Sequence, residues 1–147
     1  METLNLSAVT QGVEALLENA DLVGKSGVAV VRSEEEPTDP PSEGWVGIFK
    51  TEQRFPMVAA GNGQRGRNHQ IDVVLMLVQT HETGDQCEDA LNVLTKNVMD
   101  VVLEDGSLAS NVDYIEDVVV KYPDYRRDES KNYRQTAFIF LTGIKRI

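Results

Sequence analysis

Near its middle the chain reads Ile71-Asp72-Val73-Val74-Leu75-Met76-Leu77-Val78-Gln79-Thr80. Most of these side chains are β-branched or large and apolar, and they do not alternate with polar residues. Such a run is typical of a strand that is covered on both faces. We therefore predict that it forms the central strand of a sheet, with the rest of the chain packed around it.

An amphipathic helix is predicted directly after this run. Asp85 and Glu88 have the spacing of a capping box, in which each side chain satisfies a free amide of the first turn, and Gly106 offers a usual helix end. Burying an aliphatic side chain stabilises by about 1.5–3 kcal/mol, whereas a cap contributes about 1 kcal/mol. Packing therefore decides this helix, and its predicted buried face consists of Cys87, Leu91, Leu94, Val98 and Val101.

The composition bounds the class of protein. The chain has 147 residues, one cysteine and a net charge of −10, which fits a single domain spanning residues 1–147 without an internal disulfide. The excess of acids disfavours tight binding of nucleic acid, because such binding rests on cationic neutralisation of phosphates. No basic start followed by an apolar segment and no run of about 18 apolar residues occurs, so we expect a soluble chain that does not bind membranes.

The upstream half predicts one helix and two strands. Residues 7–19 carry apolar side chains at helical spacing, with Ser7 as the N-cap. Residues 28–31 and 45–49 have strand character, and the second strand is expected to run on towards Arg54. Three segments, residues 34–43, 60–69 and 124–132, are rich in charge, proline or glycine, and we predict that they are mobile loops.

The downstream part predicts a hairpin from residues 112–122 and 133–144. The predicted order is therefore helix, three strands, helix and two strands. This order indicates an α+β domain, with a mainly antiparallel sheet of about five strands and two amphipathic helices packed on it.

The sequence contains only incomplete forms of known phosphate-binding and zinc-binding motifs. Residues 24–26 read Gly-Lys-Ser, but Asn19 stands where a phosphate-binding loop requires glycine. Residues 81–85 begin like a zinc-hydrolase motif, yet Asp85 replaces the second histidine. His69 and His81 flank the predicted central strand, too far apart to share a metal ion, and we expect both to be ordinary loop histidines.

The remaining candidates also have structural explanations. Cys87 lies on the apolar helix face and is predicted to be a small buried hydrophobe. Trp45 has no basic and aromatic neighbours that would make it a stacking platform, so we assign it to the core or to an interface. The acidic segment 34–43 lacks the ligand spacing of a calcium loop. We therefore expect no catalytic residues, no metal site and no cofactor, and hence no enzyme.

Taken together, the small acidic α+β chain resembles the tail terminator, or tail completion, proteins of long-tailed bacteriophages. The resemblance covers nearly the whole chain and rests on the order of its elements. These are the opening helix, the Gly/Arg-rich loop 61–67, the apolar strand 71–78, the helix 85–103 and the final strand ending in residues 138–144.

The resemblance implies a structural function. Such proteins form a six-membered ring on the last ring of the tail tube, end tube growth and present a surface to the connector of the head. Double-stranded DNA later passes through the lumen. The implied location is the head-proximal end of the tail in the virion, after assembly in the host cytoplasm. An acidic lumen would let the DNA slide past without binding it.

Segregated charge suggests how subunits of a ring would meet. The acidic loop, with Glu34, Glu35 and Glu36, could pair with the basic region of a neighbouring subunit, in which Arg65 and Arg67 lie on the Gly/Arg-rich loop. The charged segment 124–132 adds further interface candidates, Arg126 and Arg127. Two alternatives remain, another head-tail adaptor or head-closure protein, and a small ligand-binding or regulatory α+β domain.

Overall fold

The sheet is built around the predicted central strand. The computed structural model describes residues 6–33, 35–55, 68–122, 126–127 and 133–146. In chain order the elements are α1 (Leu6–Glu18), a 3₁₀ turn (Gly24–Ser26), β1 (Ala29–Val31), β2 (Trp45–Arg54), β3 (Asn68–His81), α2 (Gly84–Asp105), β4 (Tyr114–Lys121), β5 (Arg126–Arg127) and β6 (Tyr133–Arg146).

The strand order in the sheet is β1-β2-β3-β6-β4, and β5 pairs with β6. Among the described strand pairs only β1–β2 is parallel, so the predicted α+β fold with a mainly antiparallel sheet is confirmed. The prediction of about five strands missed β5, a two-residue strand inside the segment that was predicted as the loop 124–132. Residues 35–43 form no helix or strand, as expected of a loop, and residues 60–67 lie outside the described part of the chain.

β3 is buried on both faces, as its sequence predicts. Residues 73–79 are all buried. The face towards the helices joins the main core through Val73, Leu75 and Leu77. The opposite face forms a second cluster in which Met76 and Val78 pack with Trp45. Burial on both sides explains why polar residues do not alternate along this strand.

α2 begins at Gly84, one residue earlier than predicted, and its cap is a different residue. Thr83 has an extended backbone, with φ −120° and ψ 151°, and its side chain accepts a hydrogen bond from the Gln86 amide at 3.2 Å. The predicted capping box was therefore wrong, and Asp85 lies within the first turn. Gly106 ends the helix in a left-handed conformation, with φ 71°, as predicted.

The buried face of α2 matches the prediction except at its last position. Val102 is 1% exposed, whereas Val101 is only half-buried. Both positions lie within a helical turn of Val98, so the period alone cannot choose between them. No helix in the described ranges is long and apolar enough to cross a membrane.

Candidate assembly surfaces

The predicted interface residues are not brought together within the described part of one chain. Arg65, Arg67 and Glu34 lie outside the described residues. Arg126 and Arg127 form β5 and pair through their backbones with β6. Glu35 and Glu36 are exposed, as are most residues of their loop.

Glu36 has a partner within its own chain. Its carboxylate lies 3.7 Å from the guanidinium of Arg134, which lies on β6. Both side chains are largely open to solvent, so the pair contributes at most about 1 kcal/mol and leaves room for a competing partner. The expected pairing of this acidic loop with a neighbouring subunit stays a prediction.

The two histidines lie at opposite ends of β3, as predicted, but within the strand rather than in loops. His69 is 1% exposed and packs edge-on against Phe55, with ring centroids 4.3 Å apart. Its Nε2 atom has no hydrogen-bond partner among the described residues. Burial, and secondly the charge of Lys145, lower the pKa of His69. A buried ring without a partner favours the neutral form.

We expect the stability of the folded protein to decrease as the pH falls below about 6.5, the ordinary pKa of histidine. Because the folded-state pKa of His69 is lowered, the unfolded chain binds the proton first. The stabilisation is therefore complete above the unfolded pKa and is lost as the pH falls towards the folded pKa. His69→Phe should flatten this dependence in thermal unfolding at neutral pH and at about pH 5. An unchanged slope in His69→Phe contradicts this assignment.

Cys87 is the small buried hydrophobe that the sequence predicts. Its side chain is fully buried, and its thiol donates towards the carbonyl oxygens of Gln79, at 3.2 Å, and Tyr133, at 3.4 Å. Burial raises the pKa of Cys87, although backbone hydrogen bonds oppose that rise. The thiolate, which is the reactive form, is therefore disfavoured in the folded protein.

We expect Cys87 to react with a thiol reagent on the order of 100-fold more slowly in the folded protein than in the unfolded chain. Cys87→Ala should not change assembly, because the buried thiol is held in its unreactive form. The control is Cys87→Ala combined with Val93→Cys, since Val93 is 59% exposed on the same helix. That variant should react at the unfolded rate. Rapid labelling of Cys87 in protein that remains folded contradicts the prediction.

No group of three or more His, Cys, Asp and Glu side chains that could hold a metal ion occurs within the described ranges. The charges instead separate by layer. Helices α1 and α2 carry eight acidic residues and one lysine, whereas the strands carry eight basic and four acidic residues. Because α1 packs on β1 and β2 while α2 packs on β3 and β6, the helical layer forms one acidic side of the molecule.

An open groove with a volume of about 1060 Å³ lies between α1 and α2. Half-buried Leu16 and Val101 contribute apolar surface to it. Its described lining residues include four acids and no base, namely Asp21, Asp100, Glu104 and Asp105.

Three of these four acids already have partners. Asp21 lies 3.8 Å from Lys25, and Asp100 lies 2.8 Å from Lys96. Asp105 accepts hydrogen bonds from the amides of Ser107 and Ala109. Glu104 has no ion-pair partner among the described residues, so the groove offers one uncompensated carboxylate beside an apolar surface.

A left-handed turn follows α2 and forms part of the groove. Leu108, Ala109 and Ser110 have φ values of 47°, 57° and 68°, which non-glycine residues rarely adopt. The Asp105 carboxylate holds the turn from one side, and the Asn111 side chain donates to the carbonyl oxygens of Leu108 and Ala109. Leu108 is fully buried, so the strained backbone is fixed by the core as well.

The other exposed surface is the free edge of the sheet. β4 pairs with β6 on one side and is the last strand of the described sheet. At its end, Tyr122 is 57% exposed and Val119 is 40% exposed. Between them, the Lys121 ammonium lies 5.1 Å from the centroid of the Phe140 ring and has no carboxylate partner among the described residues. The start of this edge is protected by exposed Glu116 and Asp117 and by a register shift between Ile115 and Asp117, whereas its end presents apolar side chains that could contact a partner.

No protein-family profile and no curated protein matches the sequence. The fold, however, matches solved structures. A chain of the virion of a native gene transfer agent particle has 13% sequence identity and a TM-score of 0.51, with 97% of this chain and 98% of that chain covered. A sheath/tube terminator of an extracellular contractile injection system, in the extended state, has 12% identity and the same TM-score of 0.51. This chain therefore shares a fold with both of these solved structures.

The match to the terminator covers 100% of this chain and 58% of that chain. At such low identity the likeness concerns the fold alone. The sequence analysis did not find the groove or the exposed Tyr122, because both depend on how the elements pack. The acidic bias of the two helices is visible in the sequence when the charges of each predicted helix are counted separately.

Proposed function

We propose that this chain is a tail terminator, which forms a ring on the end of a tail tube, stops its growth and provides the joining surface for the head. The observation that carries this proposal is the fold, which a sheath/tube terminator shares over the full length of this chain. The similar chain of the gene transfer agent particle belongs to a virion, which supports a location in an assembled particle. The function is structural rather than catalytic.

The separation of charge supports a ring. Two acidic helical layers repel each other, whereas an acidic helical layer and a more basic sheet attract each other. A contact between unlike surfaces is heterologous, and such contacts close into rings when the rotation between subunits allows it. We propose six subunits around a lumen, through which double-stranded DNA passes without being held because the protein as a whole is acidic.

The test is electron microscopy of purified protein mixed with purified tail tubes. The expected result is a ring at one end of each tube, with no further elongation when free tube protein is added. Bare tubes that continue to grow in the presence of this protein contradict the proposal.

The predicted interface arginines provide a variant for the same assay. Replacing Arg65 and Arg67 with Ser is expected to abolish capping while the unfolding temperature stays the same, because arginine forms bidentate pairs with carboxylates of a partner. The control is Arg32→Ser, because Arg32 lies outside the strands and pairs with Glu14 of its own chain. Capping that survives the loss of Arg65 and Arg67 removes them from the interface.

The runner-up function is another head-tail adaptor or a head-closure protein. The likeness to a chain of a gene transfer agent virion is compatible with it, because that chain belongs to a whole particle and not specifically to a tail terminator. Binding to the isolated connector without binding to tubes would identify this function. A monomer that binds neither partner would indicate a small ligand-binding or regulatory domain instead.

A further inference from the structure

We propose that Lys121 and Tyr122 of one copy dock in the groove between α1 and α2 of a second copy, and that Lys121 pairs there with Glu104. This contact rests on the proposed ring and specifies which surfaces meet in it.

The charges of the two surfaces are complementary. Glu104 is the acid of the groove that lacks an ion-pair partner among the described residues, and the described groove lining contains no base. Lys121 lies at the end of the free sheet edge, likewise without a carboxylate partner in the described ranges. An ion pair between copies would satisfy both groups as the interface excludes water.

The apolar surfaces are complementary as well. Tyr122 and Val119 are exposed at the sheet edge, and Leu22 is 63% exposed at the groove, beside half-buried Leu16 and Val101. A groove of about 1060 Å³ has room for a tyrosine ring together with the stem of a lysine. Tyrosine is among the residues that most often carry the binding energy of an interface.

One chain cannot make this contact with itself. The helices pack on β1, β2, β3 and β6, whereas β4 is the outermost strand, beyond β6. The occupant is therefore a second copy. The groove and the sheet edge are different surfaces, so each copy that is added leaves one groove and one sheet edge free. A ring closes when these two remaining surfaces meet.

Charge reversal tests the pair. Glu104→Lys and Lys121→Glu should each raise the protein concentration that is needed for half-maximal assembly by about tenfold or more, as measured by sedimentation in the presence of tubes. The double variant should restore assembly to within about threefold of the wild type, because every contact in the ring then carries both changes. Glu88→Lys, the same change at an exposed position on the same helix, should have no effect.

Cross-linking tests the geometry. In a Cys87→Ala background, Leu22→Cys and Val119→Cys are each introduced in separate proteins and mixed, which keeps Lys121 and Tyr122 in place. Disulfide-linked dimers should form in the mixture but not with either protein alone, and the variant that carries both cysteines should give a ladder up to the full ring.

The outcomes separate this contact from the proposed function. If the wild type and both charge variants cap tubes and no cross-link forms, the proposed contact is overturned. The terminator function then still stands. Cross-linked rings that do not cap tubes support the contact and overturn the terminator function. A cross-link from Val119→Cys to the tube protein instead of to a second copy overturns the contact. No assembly of the wild type under any of these conditions overturns both.

Discussion

Val98→Asp is expected to abolish cooperative folding. Val98 is fully buried in the core between α2 and the sheet. An aspartate there places an unpaired charge in apolar surroundings and removes the packing of the valine, which costs on the order of 4 kcal/mol or more. A domain of this size is stable by about 5–15 kcal/mol, so the variant should be mostly insoluble or unfold without a cooperative transition.

The matched control for this prediction is Val93→Asp, which makes the same chemical change on the same helix. Val93 is 59% exposed, so the loss of stability should be within about 0.5 kcal/mol. Chemical denaturation followed by circular dichroism measures both variants. Soluble Val98→Asp protein that unfolds cooperatively at a wild-type denaturant concentration would show that the buried face of α2 has been assigned incorrectly.

Trp45→Ala is expected to lower the free energy of unfolding by about 3–5 kcal/mol, the usual range for removing a large buried aromatic ring. Trp45 is 2% exposed and lies in the second cluster, on the sheet face opposite the helices. Met76 and Val78 would lose their largest neighbour there, and the sheet would retain only its helical side as a complete core. Denaturant unfolding gives the loss directly.

Trp45→Phe distinguishes ring packing from hydrogen bonding at this position. The Trp45 Nε1 atom is buried and has no hydrogen-bond partner among the described residues. Phenylalanine keeps most of the ring and removes only that unpaired N–H group, so its cost should be well below that of alanine. Equal losses for the two variants would indicate that the indole N–H makes a bond that supports the fold.

The elements with strong periodicity were predictable from the sequence. β3 was identified because burial on both faces leaves an uninterrupted apolar run, and α2 because its buried face repeats with the helical period. The cap of α2 was not decided by the sequence. Thr83 with Gln86 and Asp85 with Glu88 fit the same pattern two residues apart, and only the extended backbone at Thr83 selects the first pair.

The pairing of the strands was only partly predictable. The last two long strands do form an antiparallel pair, but the sequence does not reveal that β6 inserts between β4 and β3. It also does not reveal that β1 runs parallel to β2, because a strand of three residues carries too little pattern to fix its direction. Pairing is decided by contacts between residues that are distant in the sequence, which local propensity does not encode.

The candidate surfaces were predictable in charge but not in position. The sequence analysis found acids and bases in separate segments, and the fold sorts them further into helices and strands. The position of a candidate surface depends on which side chains are exposed, and the sequence does not show this. Tyr122 follows β4, in which Val118 and Val120 are half-buried, and the position of β4 at the edge of the sheet leaves the Tyr122 ring in solvent.

The pairing of β3 with β6 also affects how the chain folds during its synthesis. β2 precedes β3 and can pair with it at once, but β6 pairs with β3 along its whole length, from Asn68 with Arg146 to His81 with Tyr133. During synthesis, the second edge of this apolar strand therefore stays open until residues 84–132 have been translated. Open apolar edges recruit strands of other chains, and sheets that close over long sequence separations form slowly. The interval before the last strand emerges is thus the time at which a nascent chain is most prone to aggregate.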